Sequence, residues 1–198
     1  PLHDALDVEE CLRPHPNKQE VDLAKAHCSL LKKFVDSGSS YMPESPITNR
    51  SEPPSRHLVD GKFIGCMPVS FSRHNIDDIQ RSPSSAYYMS EKTDGVRYLL
   101  VSTGTTVVLL DRKMDGKQPI SKDEPFATIL KYIKPGTVFD GEVVMNRHGR
   151  SPRPIFIVFD VLSTSAREPV LHLPFAQRLN HLYQASFRTL TASADSIF

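Results

Sequence analysis

Apolar residues recur at helical spacing between Val21 and Val35. Leu23, Ala24, Leu30, Leu31, Phe34 and Val35 share one face, while Lys25, Lys32 and Lys33 point elsewhere. Gly38 stops the pattern. A shorter helix is expected over His3–Cys11. The stretch Ser37–Arg56 is rich in Ser and Pro and poor in apolar residues, which predicts a linker or an ordered, irregular loop. The chain thus divides into a helical segment (1–36), a Pro/Ser-rich linker (37–61) and a domain (62–198). From about Phe63 the pattern shifts to short apolar runs. Ala86–Ser90, Val96–Ser102, Thr106–Leu110, Thr137–Met145 and Ile155–Leu162 read as strands, with a Gly104-Thr105 turn joining the second and third. Phe126–Ile133 and Phe175–Leu190 read as helices. The expected class is α+β with a mainly antiparallel sheet.

Composition adds bounds rather than a function. The 198 residues are 39% hydrophobic and 24% charged, ordinary for a globular chain. No apolar run approaches the roughly 20 residues needed to span a bilayer, so no membrane partner is expected. Cys11, Cys28 and Cys66 are widely spaced and odd in number, which fits neither a disulfide framework nor a zinc site and suits a reducing, intracellular compartment. His27 and Cys28 have no further ligands at zinc spacing and read as ordinary helix residues. The net charge of +1 does not announce a nucleic-acid binder, so local clusters must carry that argument.

The most informative stretch is Lys92-Thr93-Asp94-Gly95-Val96-Arg97, followed by Tyr98-Leu99-Leu100-Val101. A lysine ends one apolar segment, an arginine begins the next, and a glycine turn lies between. This suits a lysine presented from the floor of a pocket toward an anion. Burial or nearby cations turn such an amine into a nucleophile by keeping part of it unprotonated. Taken alone, Asp-Gly is a common turn dipeptide and occurs here again at Asp60-Gly61 and Asp115-Gly116. The company downstream is what matters. Asp111-Arg112 follows one strand, Asp140-Gly141-Glu142 sits within another, and Phe159-Asp160 within a third. Each is bland in isolation: a surface pair, a bulge, a core phenylalanine.

In this order and spacing the chain resembles the covalent nucleotidyltransferases: mRNA capping guanylyltransferases and ATP-dependent RNA and DNA ligases. Lys92–Arg97 resembles the K-x-D-G-x-R motif, Asp140–Glu142 the third motif and Phe159-Asp160 the next. Asp111-Arg112 and the segment Gly65-Cys66-Met67-Pro68-Val69-Ser70 resemble features of capping enzymes in particular. Pro174-Phe175, Arg178-Leu179 and Leu182 resemble the helix that follows. The resemblance covers about residues 62–185; residues 1–61 match nothing in it. It implies an ATP-grasp-like, ligase-type domain. It implies Lys92 as the nucleophile on the α-phosphate of GTP, with Thr93, Asp94, Arg97, Arg112, Glu142 and Phe159 binding the nucleotide. Arg97 would hold ribose or phosphate, Arg112 the phosphates, Glu142 a ribose hydroxyl, and Phe159 would stack on the purine. Mg²⁺ or Mn²⁺ is implied, with Asp94, Glu142 or Asp160 as ligands.

The later D-G-h-h and K-x-K motifs, and the OB-type domain of the family, are not found after Asp160. The reading is therefore a fragment of an mRNA guanylyltransferase that forms a lysyl-GMP phosphoamide and passes GMP to a 5′-diphosphate RNA end. The alternatives are a ligase adenylation domain or a non-catalytic nucleotide- or RNA-binding module of the same fold. The arginines of the 146–154 loop, Arg147, Arg150 and Arg153, are the candidate RNA contacts, beside Lys113 and Lys117. RNA triphosphatase, cap methyltransferase and the RNA polymerase II tail are the expected partners, and the nucleus the expected location.

Overall fold

The computed structural model describes residues 2–82, 87–120, 129–147 and 152–184. A seven-stranded sheet forms the frame, in the order β1-β4-β3-β2-β5-β6-β7. The strands are β1 (Leu12–Pro14), β2 (Val96–Ser102), β3 (Val107–Leu110), β4 (Gly116–Pro119), β5 (Val138–Asn146), β6 (Arg153–Ser165) and β7 (Glu168–Pro169). Neighbouring strands pair antiparallel throughout. The helices are α1 (Leu2–Glu10), α2 (Lys18–Ser37), α3 (Arg56–Val59), α4 (Arg73–Arg81) and α5 (Phe175–Gln184).

Helix α2 begins earlier than its apolar periodicity does. The Asn17 side chain accepts hydrogen bonds from the amides of Gln19 and Glu20, at 3.0 and 3.3 Å, and so caps the first turn. It ends at Gly38, whose left-handed φ of 60° lets its N–H reach the Val35 carbonyl. Its apolar face packs Leu23, Ala24, Cys28 and Leu31 against Leu99 and Val101 of β2 and Val108 and Leu110 of β3. The opposite sheet face packs Tyr98, Leu100, Leu109, Phe139 and Val161 with Val8 of α1, and Leu182 of α5 joins it. Covering on both faces explains why β2 and β3 are continuous apolar runs rather than alternating ones.

The helical segment and the sheet therefore share one core. The Ser/Pro-rich stretch crosses the surface of that body as an ordered, irregular loop. Ile47 is buried in the α2 core. Ser45 Oγ lies 2.8 Å from His27 Nδ1, and Arg50 donates to Glu20 at 2.7 Å and to the Thr103 carbonyl at 2.6 Å. His27 and Cys28 are core residues: the His27 Nε2–H donates to the Gly136 carbonyl at 2.9 Å.

The expected strand at Ala86–Ser90 does not form over its described residues. Tyr87, Tyr88 and Met89 lie exposed, because no described strand runs beside them to complete a ladder. Strands β1, β4 and β7 and helices α3 and α4 were not expected. They are short, and Gly116–Pro119 carries no apolar pattern at all. The first three residues of the helix expected at Phe126–Ile133 lie outside the described residues. Its end is a helical turn, closed by the Ile133 N–H on the Ile129 carbonyl.

Candidate active site

Three neighbouring strands and two glycines set the site. Strands β2 and β5 pair so that Arg97 faces Glu142 and Leu99 faces Asp140. The polypeptide before β2 lies close against β5, because Gly95 carries no side chain. A Cβ there would run into the Val143 carbonyl and the Val144 and Glu142 side chains. That approach brings the Thr93 hydroxyl into a hydrogen bond with Glu142 Oε2. The K-x-D-G and D-G-E segments thus form one surface.

The structure corrects the expected setting of Lys92. Its side chain is 86% exposed and does not rise from a pocket floor. The Nζ donates to Asp94 Oδ1 at 3.0 Å. That bond, more than any other influence, holds the ammonium above its ordinary pKa, so in this arrangement the amine is charged. The physical reason is local: residues 91–94 lack strand partners and keep the lysine in solvent.

Arg97 lies deeper. Its Nε donates to Asp140 Oδ1 at 2.8 Å and its Nη2 to Asp140 Oδ2 at 2.5 Å, a bidentate fork. The guanidinium lies near two rings, 5.1 Å from the centre of Phe63 and 5.4 Å from that of Phe159. Phe159 is 40% exposed, so part of its ring is open to a ligand. Burial pushes the Asp140 carboxyl up from its ordinary range, and the bonds from Arg97 offset only part of that. Gly65 lies against this pair; a Cβ there would strike Asp140 Oδ2 and Arg97 Nη2. The Gly65–Ser70 segment, exposed beyond that point, is anchored beside the site by its glycine.

Asp160 has a structural role. Both its oxygens accept from Arg178 of α5, at 2.8 Å each, and Oδ1 also accepts from the Val161 amide at 2.8 Å. An oxygen pair so occupied is a poor metal ligand, which leaves Asp94 and Glu142 of the three expected. Asp111 is likewise committed: Oδ1 accepts from the amides of Lys113 and Asp115 and shapes a turn in which Met114 adopts a φ of 65°. Arg112 stands exposed on that turn. It lines a half-open cleft of about 610 Å³ together with Gly95, Arg97, Glu142, Lys113 and Lys117.

Among the proposed RNA contacts, Arg147 bonds Asp7 of α1 at 2.6 Å, and Arg153 opens β6 opposite Asn146. Arg150 lies outside the described residues. The two Arg–Asp pairs, and Phe63 as a wall for Arg97, escaped the sequence reading. Arg178 carried a usable signal: an arginine at the apolar spacing of Phe175, Leu179 and Leu182 must find a buried acid. Among the described residues no cluster of three His, Cys, Asp or Glu side chains is placed to hold a metal ion by itself.

Comparison with known proteins extends the likeness. The mRNA-capping enzyme subunit alpha of Neurospora crassa is 36% identical over 130 residues, 60% of this chain and 31% of that protein. The mRNA-capping enzyme of Danio rerio is 30% identical over 118 residues, 59% of this chain and 19% of that protein. The Saccharomyces cerevisiae subunit alpha is 28% identical over 143 residues, 64% of this chain and 30% of that protein. The chain thus spans about a third or less of the length of these relatives. A family model described as mRNA capping enzyme, catalytic domain, matches residues 15–195, so the likeness reaches beyond the 62–185 of the motifs and takes in α2 and the loop after it. With nearly its whole length matched and its lysine motif seated against β5, the chain belongs to the mRNA capping enzyme catalytic domain family.

Proposed function

We propose that this chain carries the guanylate-accepting part of an mRNA guanylyltransferase. The observation that carries the reading is the joining of Lys92–Gly95 to Glu142 through the Thr93 hydroxyl and the bare Gly95 backbone. In the first half-reaction the Lys92 nitrogen forms a bond to the α-phosphorus of GTP, the bond to the β-phosphate oxygen breaks, and pyrophosphate leaves. The nitrogen loses a proton as it does so. Asp94 Oδ1, 3.0 Å from Nζ, is the acceptor within reach. Arg112 supplies charge to the phosphates, Glu142 and Thr93 a polar edge for the ribose, and Phe159 an open aromatic face for the guanine. Arg97, tied to Asp140, sets the position of Phe159 and reaches the nucleotide only as an already paired cation.

A divalent ion fits the residues present, since Asp94 and Glu142 offer hard carboxylate oxygens near the lysine, and Mg²⁺ commonly uses one or two carboxylates plus substrate phosphates. When bound, it supplies charge neutralisation on the phosphate oxygens. In the second half-reaction GMP passes to a 5′-diphosphate RNA end. RNA triphosphatase, cap methyltransferase and the RNA polymerase II tail are the partners this activity calls for, and the nucleus its expected location.

Incubation with α-labelled GTP, or separately ATP, and Mg²⁺, followed by denaturing electrophoresis and mass spectrometry, tests the proposal. A GMP adduct that disappears in Lys92→Ala supports it. An AMP adduct, or label that persists in Lys92→Ala, overturns it.

A further inference from the structure

The cleft beside Gly95 and Glu142 has a feature that the lysine chemistry does not use. Lys113 stands on the Asp111 turn and Lys117 on β4, and both line the cleft with Arg112. Elsewhere in the molecule, Arg50, Arg97 and Arg178 are held by carboxylates. Among the described residues neither lysine's side chain makes a hydrogen bond or an ion pair. Two unpaired cations facing one concavity make an anion site, because each ammonium gains more from a phosphate than from water alone. The floor offers Tyr98, with its hydroxyl pKa raised to about 12, chiefly by burial. The acids Glu9, Asp111, Asp115 and Glu142 also line the cleft, so it suits a short, terminally charged group better than a long run of backbone.

We infer that this cleft receives the 5′-phosphates of the RNA acceptor, held by Lys113 and Lys117. The inference rests on the guanylyltransferase reading above. The cleft is lined by Gly95 of the lysine segment and by Glu142, the residue that Thr93 bonds. In the transfer step a β-phosphate oxygen of the RNA bonds to the α-phosphorus of the Lys92–GMP adduct. The phosphorus–nitrogen bond breaks, and the leaving nitrogen takes up a proton to restore the amine.

The test uses the full chain and a short oligoribonucleotide, prepared with a 5′-diphosphate and with a 5′-hydroxyl. Binding is followed by fluorescence anisotropy at several salt concentrations. The diphosphate form is expected to bind about tenfold more tightly, with a log-log salt slope steeper by roughly 1.4, the value for two neutralised phosphates on a single strand. Lys113→Glu combined with Lys117→Glu removes that preference, leaves the circular dichroism spectrum unchanged, and leaves GMP labelling of Lys92 within about twofold. Equal binding of the two oligonucleotides by the unmodified chain would sink the inference, as would a preference that survives in the double variant. Loss of GMP labelling in the double variant would assign Lys113 and Lys117 to the donor triphosphate instead. Absence of a GMP adduct in the unmodified chain counts against the proposed activity, while the anisotropy still judges the cleft.

Discussion

Asp140 and Asp160 stand directly opposite each other across the β5–β6 ladder, and each is gripped by its own arginine. Like charges in such a position repel and destabilise the pairing of the strands. Arg97 comes from β2 and Arg178 from α5, so neutralising the acids also fastens two further elements to the ladder.

Removing either arginine should leave an uncompensated buried acid. Arg178→Ala is expected to cost about 3 kcal/mol, typical for one partner of a buried pair. Urea denaturation followed by circular dichroism reads this directly. Arg178→Lys should recover only part of the loss, because a lysine cannot reproduce the two-pronged bond to Asp160. Full recovery would show that charge alone suffices there.

Gly95→Ala should damage chemistry more than folding. The added methyl meets the Val143 carbonyl, so the segment carrying Lys92 must lift away from β5. A displacement near 1 Å can cost about a hundredfold in rate. GMP labelling is expected to fall on that scale while the urea midpoint shifts little. Unchanged labelling would mean that the close approach does not position the lysine.

Thr93→Val removes the hydroxyl that bonds Glu142 and keeps the shape. The expected signature is a raised KM for GTP in the labelling reaction, with a stability loss of about 1 kcal/mol. Thr93→Ser, which restores the hydroxyl, should return KM toward its original value.

Stability should fall as the pH drops from about 6.5 to about 4, through His27. This residue is fully buried, and burial pushes its pKa down from 6.5 to about 4. Its ring is accommodated as the neutral form, donating from Nε2 and accepting at Nδ1. Between the two values the unfolded chain binds a proton that the folded chain does not, so stability rises with pH across this window. The full effect is about 3 kcal/mol. Urea midpoints measured across this range should show the slope, and His27→Gln should flatten it.

The elements legible in the sequence are those whose cores impose a pattern. Helix α2 and strands β2, β3, β5 and β6 are long apolar runs, and each was expected within a few residues of where it lies. The short strands were not, because Gly116–Pro119 owes its place to pairing with β1 and β3 rather than to its own side chains. The lysine motif was visible as residue types, yet its exposure was not, since the setting of Lys92 depends on the absence of strand partners over 91–94. Asp160 read as a possible metal ligand because a sequence does not show which arginine comes back to meet it. The start of the catalytic likeness is hidden in the sequence for a related reason. Nothing in Val21–Val35 names the sheet it covers, and the dependence appears only when Leu31 and Leu99 are seen in one core.

That shared core fixes where the chain tolerates cutting. The exposed serines and prolines between Gly38 and Arg56 look like an invitation to a protease or to a cloning boundary. A version beginning at residue 62 would leave Leu99, Val101, Val108 and Leu110 bare to water along one side of the sheet. Such a species would be expected to self-associate rather than to report on nucleotide chemistry. A chain nicked in that loop would keep α2 in place by its packing alone, and would run as one particle until denaturant separated the pieces.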